Sequence, residues 1–566
     1  MSTHANHPHP ADRTPPDGDR SPDSTRATGG DAEHHEVIVI GAGVSGIYQI
    51  KRLTDLGVDA VLLEGDDDLG GTWYRNRYPG ARFDSESYTY GYSFSKELLD
   101  EWHWTERFSP QPENLRYLNH VADRFDLRRH MRFNARVRTM IWDEDERQWG
   151  IGLDDGTSCT ARFVITSLGP LSMPTLPSYE GMDDFTGESF HTYWWPKEPV
   201  ELADRRVGVI GTGATGLQVI AEIADKVGHL TVFQRRPNWS TPLNNGPISP
   251  GEMDEIRDRY DEIFANCAAS PNGFEHVPDR RGFWSLTAEE RRSHWDDLYR
   301  QPGFAILAGN FAEIFFDEAA NREMSDYVAD RIRERVTDPV VAEKLIPLDH
   351  GFGLQRLPLE TNYFEAYNRD NVDLVDITEH PILRMTPDGI ETAAGHHDLD
   401  VIVYATGFDA ITGGYDRIEI RGVDDRTLAD KWRDSPSTYL GVLSHGFPNM
   451  LMVAGPQSVS GSTNFPRAIE TGVDWVTDLL QHAAAEGITR IEARADGERD
   501  WVEEVERAHE RMLFRRSKGW FTGYNSNVAG HQEGHVRYQA YFGGAPRYAT
   551  LATEEADGGY PRLDLR

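Results

Sequence analysis

Glu36-Val-Ile-Val-Ile-Gly41-Ala-Gly43-Val-Ser-Gly46 decides the fold of this chain. A β-branched apolar run enters G-x-G-x-x-G directly, and a helical pattern through Ile50 and Leu53 follows, so the stretch reads as strand, tight turn, helix. A second strand, Ala60-Val-Leu-Leu, ends in Glu64, 23 positions after the first glycine, where a βαβ dinucleotide fold hydrogen-bonds an adenosine ribose. The glycines do separate work. One makes the turn, one lets backbone N–H groups reach a pyrophosphate, and one allows close helix-to-strand packing. A lone fingerprint is compatible with an ordinary turn; with both strands and the acid it predicts a nucleotide site.

The logic repeats further along. Arg206-Val-Gly-Val-Ile210 runs into Gly211-Thr-Gly213-Ala-Thr-Gly216 and then a helical Leu217-Gln-Val-Ile-Ala-Glu-Ile. The next strand, Leu230-Thr-Val-Phe-Gln234, ends in Arg235 and Arg236 instead of an acid. A carboxylate there would repel a 2′-phosphate, whereas guanidinium groups pair with it bidentately, which favours NADPH over NADH. The alternative is two solvated arginines in a loop. The fold class that results is α/β, with two dinucleotide-binding, Rossmann-like domains and a helical insertion in the second.

At 566 residues the chain is too long for one core. The predicted divisions are a disordered tail over 1–35, a FAD-binding domain in two parts (36–168 and 398–566), an NADP-binding domain in two parts (169–249 and 346–397), and the helical insertion over 250–345. The tail is poor in large apolar side chains and lacks the apolar segment of a secretory signal. A formal net charge of −35 opposes nucleic-acid and anionic-membrane binding, and no apolar run is long enough to span a bilayer. Two cysteines, Cys159 and Cys267, form no redox motif, which argues against a disulfide reductase and fits a reducing cytoplasm. No metal is called for, and a monomer or weak homo-oligomer is expected.

Between the fingerprints lies Phe185-Thr-Gly187-Glu-Ser-Phe-His191-Thr-Tyr-Trp-Trp195-Pro196, of the form F-x-G-x-x-x-H-x-x-x-W-P. His191 and Trp195, four apart, read by themselves as core residues on one helix face. With Phe185, Gly187 and Pro196, and flanked by two fingerprints, the motif resembles the signature of the type I Baeyer–Villiger monooxygenases, over roughly residues 36–545. The resemblance implies bound FAD and NADPH, reaction with O2 through a flavin C4a peroxide, and conversion of a small-molecule ketone to an ester or lactone.

It also implies roles. Leu69-Gly-Gly71-Thr72-Trp73-Tyr74 would lie along the flavin, with Tyr90 beside it. Thr215 and Gln218 would join the second fingerprint in cofactor binding. Arg356 would be the fixed cation for a buried anion, oriented by Asp84, and His191 would orient the linker between domains. Trp520, in Gly519-Trp-Phe-Thr-Gly-Tyr-Asn525-Ser-Asn527, is either a cover for the nicotinamide or a packing aromatic. In one departure, many relatives place Lys before the arginine where this chain has Gln355, and Arg236 stands where relatives often have Thr. The run Gly351 to Glu365 and the Trp-Phe-Thr-Gly-Tyr-Asn-Ser-Asn ending resemble the branch that acts on bulky cyclic ketones, including sesquiterpenoid ketones of pentalenolactone-type antibiotic biosynthesis. The competing readings are a flavin-dependent N- or S-hydroxylase and a non-catalytic FAD-binding scaffold.

Overall fold

A computed structural model describes residues 33–531 and 536–566. β1 (Glu33–Ile40) and β2 (Ala60–Leu63) pair in parallel, Val37 opposite Ala60 and Ile40 opposite Leu63. β3 (Met131–Arg132) continues the parallel run beyond β2. On the other side β6 (Ser158–Thr166) lies parallel to β1, then β5 (Gln148–Leu153) and β4 (Val137–Asp143) return antiparallel, the meander expected from the alternating pattern there. Strands Glu419–Arg421 and Met450–Met452 complete this eight-stranded sheet from far along the chain. The helix Val44–Asp55 packs beside Phe465–Glu486, because both bury their apolar faces on the same side of the sheet.

The second sheet has five strands, all parallel. Its order is Val372–Asp376, β9 (His229–Gln234), β8 (Arg206–Ile210), Val401–Tyr404, β7 (Glu188–His191). Val207, Val209, Val232, Val401 and Val403 are fully buried, as strands covered on both faces must be.

Several expectations change. Residues 33–35 belong to β1, so that part of the expected tail is ordered strand; residues 1–32 lie outside the described residues. The boundary expected at 398 falls too early, since Val401–Tyr404 is an interior strand of the second sheet and the chain crosses back only after Ala405. The helical insertion is not confined to the second unit. Met253, Ile256, Tyr260 and Ile263 pack into the core of the first sheet, while Trp295, Leu298, Met324 and Tyr327 pack into that of the second. Each helix follows its own apolar stripe, and the two stripes find different partners. His191 and Trp195 do not share a helix face either: His191 ends β7, and the 3₁₀ turn Thr192–Trp194 separates them.

The two crossings between the units run side by side. The Thr175 N–H donates to the Gly407 carbonyl at 2.9 Å, its hydroxyl donates to the Thr406 carbonyl at 3.1 Å, and the Thr406 hydroxyl donates back at 2.6 Å.

Candidate active site

The two fingerprints build matching cradles. A Cβ on Gly46 would stand 1.8 Å from the Gly41 carbonyl oxygen, and one on Gly216 would stand 2.2 Å from that of Gly211, so no side chain fits where helix meets strand. Gly43 and Gly71 face each other so closely that a Cβ on Gly71 would lie 2.9 Å from the Gly43 Cα. A Cβ on Gly213 would meet nothing, because that turn opens into a cavity.

The cavity measures about 1040 Å³ and spans both units. From the first unit Gly41, Gly43, Glu64, Gly71, Thr72, Trp73, Asp84 and Tyr90 line it. From the second come Gly213, Thr215, Gln218 and Arg356, and the C-terminal loop adds Trp520. Gly46, Gly211 and Gly216 act through packing behind the wall. Arg235, Arg236 and the residues Phe185, Gly187, His191, Trp195 and Pro196 are not part of the lining.

Glu64 accepts the Ala42 N–H at 2.7 Å and the Asp66 N–H at 2.9 Å, which ties the first turn to the end of β2. Burial, with the Asp66 charge nearby, raises its carboxyl above the usual range. The Trp73 indole N–H donates to the Tyr90 hydroxyl at 2.8 Å, and Tyr90 stacks on Phe83 with ring centroids 4.0 Å apart. This aromatic wall holds the segment Gly71–Trp73 against the cavity.

Asp84 and Arg356, 272 positions apart, meet in the lining of this cavity. The guanidinium donates to the Asp84 carboxylate at 2.9 Å and lies 4.8 Å from the Phe304 ring centroid. Asp84 is 7% exposed. Burial raises its carboxyl above the ordinary range, opposed by Arg356 and by a backbone hydrogen bond from Leu359. The guanidinium also donates to the Leu357 carbonyl, and a cation so held in the lining of a cavity can stabilise an anion that forms there.

The tryptophan-containing motif builds the joint between the units. Trp195 is buried beside Phe190, and Phe185 packs against the small meander of residues 382–398. His191 pairs in register with Tyr404, and its Nδ1 accepts the Tyr193 N–H at 3.1 Å. Burial pushes its imidazole down to about 4, against backbone contacts with Gly407 and Thr175, one on each crossing. The ring is therefore neutral, buried and set between the two crossings.

Around the mouth of the second cradle, Arg235 donates to the Ser526 hydroxyl, and Arg236 pairs with Asp349 at 3.2 Å. The Gln355 amide donates to the Lys518 carbonyl at 3.1 Å. Asn525 and Asn527 donate to the carbonyls of Phe408 and Thr406 at 2.8 and 3.1 Å, so the C-terminal loop rests on a crossing.

A flavin-binding monooxygenase-like (FMO-like) family model matches residues 34–246. The chain is 44% identical to 2-oxo-Δ(3)-4,5,5-trimethylcyclopentenylacetyl-CoA monooxygenase of Pseudomonas putida, over 94% of this chain and 98% of that protein. It is 37% identical to a Baeyer–Villiger monooxygenase of Pseudooceanicola batsensis, over 96% and 97%. The crystal structure of OTEMO in complex with FAD and NADP superposes with a TM-score of 0.90 at 43% identity, covering 94% of this chain and 99% of that one. The chain belongs to the Baeyer–Villiger monooxygenases. It is an FAD- and NADPH-dependent enzyme of that family, and both cradles have the open, side-chain-free turns that the two dinucleotides require.

Within this monooxygenase the sequence reading missed the contacts that join the units. The Tyr78 hydroxyl donates to Gln218 at 2.8 Å, and Gln218 donates to the Arg82 carbonyl at 2.9 Å, so Gln218 bridges the units as well as lining the cavity. Lys197, directly after the motif, pairs with Asp67 at 2.6 Å, and Arg75 lies over the Tyr193 ring at 5.4 Å. Glu86 pairs with His276 at 2.8 Å, tying the first unit to the insertion. Only Lys197 carried a signal, its place one residue beyond Pro196.

Proposed function

We propose that the protein inserts one oxygen atom of O2 beside the carbonyl of a bulky cyclic ketone, giving a lactone, with Arg356 and Asp84 as its active-site pair. The observation that carries this reading is the Asp84–Arg356 pair in the lining of the cavity that the two cradles share. The balance is one ketone, one O2 and one NADPH with a proton, giving one lactone, one water and NADP+. Bound FAD supplies the activation of dioxygen, and NADPH supplies the two electrons.

The chain's own residues do the rest. Gly41, Gly43 and Gly71 let the first dinucleotide approach the backbone, and Gly213 does the same for the second. Arg235 and Arg236 take the 2′-phosphate. Arg356 holds negative charge in the cavity, and Asp84 keeps the guanidinium aimed there. Trp520 covers the nicotinamide end and excludes water. His191 holds the two crossings in register while the units move.

The apolar end of the cavity supports the bulky-ketone reading. Phe274, Phe304, Leu307, Phe315, Phe514 and Phe542 are among the side chains that line it, an apolar set suited to a bulky hydrocarbon ring. Free, buried Cys159 and Cys267 are in keeping with action in the cytoplasm. The test is turnover with NADPH and ¹⁸O2 on a panel running from small ketones to macrocyclic and sesquiterpenoid ketones, with amines and sulfides included. Lactones carrying one ¹⁸O, formed best from the bulky ketones, are expected. Oxygenation of amines or sulfides alone would overturn the Baeyer–Villiger assignment for this site, and preference for the smallest ketones would overturn the substrate class.

A further inference from the structure

We infer that Lys518, on the C-terminal loop, completes the 2′-phosphate site of the nicotinamide cofactor, so that the loop carrying Trp520 closes preferentially over NADPH. This rests on the reading that Arg235 and Arg236 receive that phosphate.

Arg236 and Lys518 converge on one aromatic ring. The Arg236 guanidinium lies 5.6 Å from the Tyr524 centroid and the Lys518 ammonium lies 5.7 Å from it. Arg236 also reaches the Lys518 carbonyl at 3.5 Å, and Gln355 donates to the same carbonyl at 3.1 Å, which anchors the backbone of Lys518 beside the second cradle. Arg235 holds Ser526 on the far side of the same loop. Three cations from two distant parts of the chain are thus gathered around residues 518–526.

Electrostatics gives this gathering a direction. The Arg235 guanidinium is pushed down by burial and by the charge of Arg236, the condition of a cation pair that gains most when an anion arrives. Tyr524 and Lys518 also line a cavity of about 380 Å³ that carries Arg515, Arg516 and Arg537, with no carboxylate among its described lining residues. In a chain with a net charge of −35, four basic side chains around one small cavity are a local concentration of cations, with Glu318 pairing with Arg516 from outside it. A phosphate dianion reached by Arg235, Arg236 and Lys518 would offset the Arg235–Arg236 repulsion, compete with Asp349 for Arg236, and bind the loop to the cradle. Trp520 lies two residues on from Lys518 and faces the main cavity, so the same event sets the lid.

The test uses FAD-loaded full-length protein and calorimetric binding of adenosine 2′,5′-bisphosphate and of 5′-AMP, which lacks the 2′-phosphate. Neither ligand carries a nicotinamide, so catalysis does not enter. Lys518→Ala is expected to weaken the bisphosphate ~10-fold while leaving 5′-AMP unchanged, and Lys518→Arg to restore most of the loss. Hydrogen exchange of residues 515–531 should slow with the bisphosphate in the wild type and not in Lys518→Ala. If Lys518→Ala binds the bisphosphate as the wild type does, or loses both ligands equally, the inference is overturned. The double variant Arg235→Ala/Arg236→Ala separates the two readings: loss there with no loss in Lys518→Ala sinks the role of Lys518 alone, and no loss in either sinks the 2′-phosphate assignment itself.

Discussion

At the scale of single residues, charge and burial set the chemistry. Arg356 is held by the buried Asp84 carboxylate and the Leu357 carbonyl and lines the cavity, so Arg356→Ala is expected to leave FAD content unchanged and lower lactone formation ~100-fold or more, read from the absorbance of bound flavin and from product analysis. The pair also predicts a pH effect. Burial raises the Asp84 carboxyl, so as pH falls the side chain is protonated earlier than an ordinary aspartate, and the grip on Arg356 is lost from there downward. The acid limb of kcat/KM should therefore lie above the usual carboxylate range, and Asp84→Asn should abolish that limb along with most activity. Asp409 gives a stability counterpart. Burial, and next the charge of Asp416, push its carboxyl up to about 6 against Arg537 and Arg417. The folded state then binds the proton more tightly than the unfolded one, so this contribution is present at low pH and is lost as pH rises through about 6. Asp409→Asn should raise stability at pH 8 by ~2 kcal/mol and change little at pH 4, with loss of the 3.6 Å contact to His531 working against the gain. Equal effects at both pH values in thermal unfolding would refute the assignment.

At the scale of elements, the joint between the units matters most. His191 ends β7, pairs with Tyr404 and touches both crossings, while the 3₁₀ turn after it carries Tyr193 toward the first unit. His191→Ala is expected to slow reduction of bound FAD by NADPH by about 10-fold or more while FAD remains bound, because a neutral ring that aligns two crossings acts on the movement between the units and not on the flavin cradle. Stopped-flow reduction checks this, and an unchanged rate would remove the role. The strands and fingerprint helices here were legible in the sequence because β-branched runs, glycine turns and helical periodicity are local signals. The fate of the insertion was not, since an amphipathic helix declares that it has an apolar face and never which neighbour will cover it. Met253 and Ile256 went to one core and Trp295 and Met324 to the other.

At the scale of the whole molecule, two cradles open into one cavity, and ligands that fill them must stabilise the fold. NADP+ at a hundredfold excess over its Kd should add ~2.7 kcal/mol to the FAD-loaded protein, read as a rise in Tm, and Arg235→Ala/Arg236→Ala should lose most of that rise. The sequence by itself determined the two nucleotide units, their cofactors and the family, and singled out Asp84 and Arg356 as the pair proposed for the site, because each rests on residue types at short, fixed spacings or on a resemblance carried by such motifs. Only the tertiary structure decided that Asp84 and Arg356 touch across 272 positions, that Val401–Tyr404 belongs inside the second sheet, and that Gln218 and Lys197 join the units. The physical reason is that a contact between distant segments depends on which buried surfaces pack together, and packing is a property of the assembled chain that no local pattern records.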